Sequence, residues 1–148
     1  MSNDGNTVAI GAHGNDGNGL GWGSGHARIY NWDGSSWIQL GFDLDGDAYG
    51  NYFGASVSLS GNANIVAIGA PNNAGNGFNS GHVRIYENIA GNWTQIGQDI
   101  DGEAADDFSG ISVSLSSDGN TVAIGAYGNC LLYTSDAADD TPCVDLGG

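Results

Sequence analysis

The chain of 148 residues sets 17 acidic residues against two cations, Arg28 and Arg84, and has a formal charge of −15. A surface of that sign repels nucleic acid and anionic lipid, and favours divalent cations or plain solubility in salt. Since no apolar run approaches the roughly 18 residues of a membrane span, no membrane insertion is expected.

The first predicted strand is "VAIGA", Val8 to Ala12, and it returns at Val66 to Ala70 and at Val122 to Ala126, offsets of 58 and 56 residues. Its continuous apolar run suits a strand covered on both faces. A Gly- and Asn-rich loop follows, "HGNDGNGLGWGS" in the first copy and "PNNAGNGFNS" in the second, so the extra length falls in a loop. Next come "GHARIY" from Gly25 and "GHVRIY" from Gly81, then an outer strand bearing Trp37 in one copy and Trp93 in the other. "DLDGDA" from Asp43 recurs as "DIDGEA" from Asp99, and the alternating "SVSLS" from Ser56 recurs from Ser112. The links "GNAN" and "SSDGN" suit tight hairpins, because Gly, Asn and Asp tolerate positive φ.

The unit is thus 56 residues long, with four short strands of period two and no segment that reads as a helix. Four antiparallel strands repeated at this length predict an all-β chain, a fragment of a β-propeller with four-stranded antiparallel blades. A β-sandwich is the alternative architecture, but it has no need of near-identical copies.

"FGASVSLSGNANIVAIGAP", Phe53 to Pro71, resembles the FG-GAP repeat of integrin-type propellers, and "GHVRIYENIAGNWTQIG" resembles the second half of the bacterial form of that repeat. The resemblance runs from Met1 to Asn129. It implies a propeller of about seven blades, with neighbouring blades in a longer chain, and a recognition platform more often than an enzyme. On this frame the expected organisation is a partial blade over 1–52, a complete blade over 53–108 and the start of a third over 109–129. Met1 stands where the third copy has Leu115, and is expected to be an internal codon of a longer reading frame.

The segment 130–148 leaves the repeat. "CLLYTSDAAD" resembles the translation of a transposon-derived sequencing adapter, and "VDLGG" that of a primer segment found in such libraries. A non-native, disordered tail is expected there, against the alternative of a genuine acidic tail. Both cysteines, Cys130 and Cys143, lie in it, so no disulfide framework is expected in 1–129.

For chemistry, His26 and His82 occupy one repeat position, which points to a structural role, and no catalytic motif accompanies them or His13. "NWT" at Asn92 fits the glycosylation pattern but falls on a predicted strand. The carboxylates Asp43, Asp45 and Asp47 recur as Asp99, Asp101 and Glu103, hard oxygen ligands at i, i+2 and i+4 that are compatible with calcium. The competing reading is that they shape the turn into the next blade, with Asp-Gly chosen for its backbone.

Loops between the second and third strands, and links from one blade to the next, should emerge on one face, which puts Asn15, Asp16, Asn72 and Asn73 on the expected binding surface. The functional expectation is a non-enzymatic, secreted or cell-surface adhesion module that binds a protein or glycan, with calcium as an aid. Two alternatives stand beside it: an accessory propeller of a secreted polysaccharide-degrading enzyme, and a spacer in a large surface protein.

Overall fold

The computed structural model describes residues 1–16 and 19–129; the adapter-like tail lies outside them. The described residues form eleven strands and no helix. In chain order these are β1 (Thr7–Ala12), β2 (His26–Trp32), β3 (Trp37–Gln39), β4 (Leu44–Asp45), β5 (Ser56–Leu59), β6 (Ile65–Ala70), β7 (His82–Ile89), β8 (Asn92–Gln95), β9 (Ile100–Asp101), β10 (Ser112–Leu115) and β11 (Val122–Gly125).

They build antiparallel sheets that follow the repeat. In the first, β1 pairs β2, and both β3 and β4 pair β2; in the second, the order is β5-β6-β7-β8 with β9 also on β7; the third is β10-β11. Register repeats as well: Val8 faces Tyr30 in the first sheet as Val66 faces Tyr86 in the second. The chain is all-β, with the up-and-down blades of a propeller.

The outer strand, one run in the sequence reading, is broken in two. Tyr86 pairs Gln95, but His82 pairs Asp101, so the outer strand carries two residues more than its partner between those pairs. Gly97 sits in the excess with φ +74°, and Gly41 does the same in the first blade with φ +77°. A glycine at positive φ inside a strand marks such a bulge. Its effect is to loop two residues out of the ladder while the strand keeps its direction, and across the bulge Gln95 Nε2 donates to Asp99 Oδ1 at 2.7 Å and Gln39 Nε2 to Asp43 Oδ1 at 2.7 Å.

The core lies between blades. Ala27, Ile29 and Leu44 of the first blade meet Phe53, Leu59, Val66, Ile68 and Tyr86 of the second, all buried. β6 is the strand that this packing encloses, with Val66 to Ala70 buried without interruption. In β1 the residue equivalent to Ile68 is Ile10, half exposed. Small side chains keep the faces thin: Ala67 sits fully buried between the larger Val66 and Ile68.

Two glycines set how closely blades approach. Within the second blade the linker residue Gly54 donates its N–H to Gly69 O at 3.0 Å, extending the β5–β6 ladder, and within the third Gly110 donates to Gly125 O at 3.0 Å. A Cβ on Gly11 would fall on the carbonyl oxygen of Gly54, and one on Gly69 would fall on that of Gly110. The glycine of each "VAIGA" copy in the first two blades therefore admits the linker backbone of the blade that follows. A third contact is polar: Trp93 Nε1 donates to Leu40 O of the preceding blade at 2.9 Å.

Candidate functional site

One face gathers the ends of the second strand, the start of the third and the links between blades. The link out of the first blade runs beside that blade's own loop: Tyr52 N donates to Gly23 O at 2.8 Å and Phe53 N to Ser24 O at 3.2 Å. The second blade repeats this with Phe108 N to Asn79 O at 2.9 Å and Ser109 N to Ser80 O at 3.0 Å. Two features of this face bear on function, an ion-pair cluster at its outer side and an aromatic cleft.

Arginine ion pairs take in three of the six repeated carboxylates, Asp43, Asp47 and Asp99. Arg28 grips Asp43 with two bonds, Nε to Oδ1 at 2.9 Å and Nη2 to Oδ2 at 2.6 Å. Arg84 grips Asp99 in the same fashion, Nε to Oδ1 at 2.9 Å and Nη2 to Oδ2 at 2.8 Å. Hydrogen bonding from the guanidinium holds each of these carboxyls below the usual carboxylate range. Arg84 also reaches across the blade boundary, donating from Nη2 to Asp47 Oδ2 at 2.6 Å. Partial burial works to raise Asp47, but the bond and charge of Arg84 outweigh it and leave this carboxyl lowered too. Arg84 is raised further above its already high value, since its bonds to Asp99 and Asp47 overcome the opposing effect of burial.

Histidine joins each cluster. The ligand atoms of His26, Asp43 and Asp45 lie within 4.8 Å of one another, as do those of His82, Asp99 and Asp101. The expected sets of three carboxylates are thus regrouped: Asp43 with Asp45 and a histidine, Asp99 with Asp101 and a histidine, and Asp47 instead with the arginine of the next blade. Glu103, its repeat equivalent, is exposed. His82 is 1 % exposed, its Nδ1 is 3.4 Å from Asp99 Oδ2 and its Nε2 has no hydrogen-bond partner. Burial, reinforced by the charge of Arg84, pushes this imidazole down.

The predicted loop residues stand on the same face in supporting roles. Asn15 O accepts Gly25 N at 2.9 Å, and Asn73 O accepts Gly81 N at 2.9 Å, closing the two loops alike. Asn73 Oδ1 also accepts Gly75 N at 2.8 Å, and Asn72 Nδ2 donates to Asn79 Oδ1 at 3.1 Å. Asp16 is exposed.

Between the first two blades these loops enclose a cleft of about 390 Å³, lined by His13, Trp22, Tyr52, Pro71, Asn72 and Ile111 among others. Tyr52 is its centre: the Trp22 ring meets it edge-on at 5.5 Å and 89°, and His13 meets it at 5.7 Å and 70°. Trp22 is 58 % exposed, so a large part of its indole faces solvent. Tyr52 holds φ +56°, and its repeat equivalent Phe108 holds +55°. Left-handed backbone costs a side-chain-bearing residue roughly 1–2 kcal/mol, and such strain gathers where structure serves function. Residue reasoning did not single out Trp22 or Tyr52. The departure of "GLGWG" from the second copy was the available signal.

Stacked antiparallel blades, joined by glycine seams and opening their loops on one face, define a propeller-type repeat protein. Residues 43–86 match the family model of the FG-GAP repeat, so the chain carries an FG-GAP-like repeat. No curated protein matches it.

Proposed function

We propose that this chain is part of an extracellular or cell-surface recognition module, which holds a protein or glycan ligand on the loop face of its blades without catalysis. FG-GAP-like repeats are typical of extracellular and surface proteins, which supports the location. The observation that carries the reading is the set of four exposed aromatic rings on this face, Trp22, Tyr49, Phe78 and Tyr127, which are 58 %, 68 %, 74 % and 72 % exposed; Phe42, Trp32 and Trp37 are exposed elsewhere, on β2 and the outer strand. Apolar surface gathered in this way marks interaction sites. Among the described residues, the aromatic cleft offers an imidazole, His13, but no Ser, Cys or carboxylate in its lining, which favours binding over hydrolysis.

The test is retention of the chain on immobilised matrix glycoproteins and polysaccharides. Tyr49→Ser combined with Phe78→Ser should abolish retention. Ala63→Gly, in a turn at the opposite end of the strands where φ is +60°, should leave it unchanged. Loss in neither variant, or no retention of the parent chain, would contradict the reading.

Calcium assistance is a second reading, favoured by the convergence of His26, Asp43 and Asp45 and of their repeat partners. Against it, a guanidinium already neutralises one carboxylate of each set. If calcium binds, millimolar calcium raises the melting temperature, because a ligand of the native state stabilises it. Asp45→Ala with Asp101→Ala then removes that rise. An unmoved melt assigns these carboxylates to ion pairs and turns.

A further inference from the structure

We infer that the cleft between the first two blades is a binding site for an uncharged saccharide, stacked on Trp22 and Tyr52; this deepens the recognition reading and rests on it. The lining is the first observation. In a chain of formal charge −15, no carboxylate and no arginine lines this cleft among the described residues. It therefore offers neither the anionic wall that a basic peptide needs nor the cationic one that a sulfated or uronic sugar needs.

Ring geometry is the second. Trp22 and Tyr52 stand perpendicular at 5.5 Å between centroids, a corner with a floor and a wall. Aromatic faces carry partial negative charge, and one face of a pyranose presents C–H groups of partial positive charge, so the sugar face covers one ring while its edge meets the other. Its hydroxyls need polar partners, and Asn72 is among the lining residues, its Nδ2 donating to Asn79 Oδ1 at 3.1 Å. Sites of this kind combine an apolar body with a few placed polar groups.

The next blade junction supplies an internal contrast. Its aromatic frame, Phe108 and Tyr127, is stacked face to face at 5.1 Å and 7°, so the rings spend their faces on each other. Trp22 and Tyr52 meet edge to face, so the pair takes up one face of one ring and none of the other. Both junctions hold an aromatic residue at this backbone position, Tyr52 at φ +56° and Phe108 at +55°, so ring geometry and not the backbone separates them.

The experiment uses the 148-residue chain. Mannan, β-glucan and chitin oligosaccharides serve as neutral probes, heparin and hyaluronate as anionic ones, with affinity then measured by calorimetry on a neutral hexasaccharide of the polysaccharide retained. Trp22→Ala and Tyr52→Gly should each weaken that affinity by about tenfold or more, on the scale of a lost aromatic contact. Tyr52→Gly relieves the backbone and should keep the thermal melt. Tyr52→Phe keeps the ring and should keep binding. Phe42→Ala, which removes an 82 % exposed ring in the outer-strand bulge, should change nothing. Retention of anionic probes alone, or neutral binding that Trp22→Ala and Tyr52→Gly leave intact, would overturn the inference. If proteins are retained through Tyr49 and Phe78 while no neutral saccharide is, the saccharide site fails and the recognition reading stands. If nothing is retained, both fail.

Discussion

Gly69→Ala is expected to cost about 3 kcal/mol or more, at the upper end of the range for overpacking a closed interior. The added methyl would fall on the carbonyl oxygen of Gly110, and it would also crowd Ser56 Oγ. Backbone is the obstacle, so relief requires the next blade to move away. That movement would open the seam in which Ser56 Oγ donates to Gly110 O at 2.7 Å. The third copy supplies a milder case. At Gly125 the nearest obstacle is the Ser112 hydroxyl, a side-chain atom that can rotate, so Gly125→Ala should cost clearly less. Gly14→Ala, with nothing within 4 Å, should be near neutral. Denaturant midpoints of the three variants check the ranking, and equal losses would show that the glycines are not seam residues.

Arg84→Ala carries the next largest effect, expected at about 2 kcal/mol once the half-exposure of Asp47 is discounted from the usual cost of breaking a buried pair. The side chain of Arg84 is 15 % exposed and binds carboxylates of two blades at once. Arg28 is 40 % exposed and holds Asp43 alone, so Arg28→Ala should cost less. The two arginines occupy the same repeat position, and the bridge to Asp47 is what separates them.

The same cluster sets a pH dependence. Asp99 and Asp47 have folded values below the unfolded carboxylate value of about 3.9. Their contribution is complete above that pH and is lost as pH falls through the folded values. His82 is also lowered, by burial first and by Arg84 second, so its contribution begins to fall as pH drops below the ordinary histidine value of about 6.5. Acid unfolding of the parent chain should therefore show a first loss near neutral-to-mild acid and a second below about pH 4. In Arg84→Ala the second should be shallower, since the charge that lowers Asp99 and Asp47 is gone. A profile identical to that of the parent would remove the arginine from this role.

Much of the fold was legible because the chain repeats itself. Three copies of "VAIGA" in register with two of "GH-x-RIY" leave little room for any arrangement but stacked antiparallel blades, and the apolar run of β6 is buried as its pattern required. β1 and β11 share that pattern yet are only partly buried, since burial depends on what packs against a strand and not on its own residues. The broken outer strand was marked by glycine in "QLGFDL" and "QIGQDI", but a bulge reads as a strand when only alternation is counted.

The site was legible in part. Spacing alone makes Asp43, Asp45 and Asp47 look like one ligand set. The two arginines that divide the set stand 15 residues upstream of Asp43 and Asp99 in sequence, a distance bridged by strand pairing. The aromatic cleft was beyond such reading for a different reason: Trp22 and Tyr52 lie on two aperiodic loops, and a parallel bridge between Gly25 and Phe53 brings those loops together.

If packing between blades holds this chain together while the loop face stays free for a ligand, native-state hydrogen exchange should rank the three "VAIGA" strands by enclosure rather than by sequence. The slowest amides are expected in Val66 to Ala70, with those of β1 and β11 exchanging faster, as less buried elements open at lower free energy. Amides of the loops at 13–16 and 71–79 should be the first to exchange. Equal protection across the three strands, or slower exchange in β1 or β11 than in β6, would contradict it.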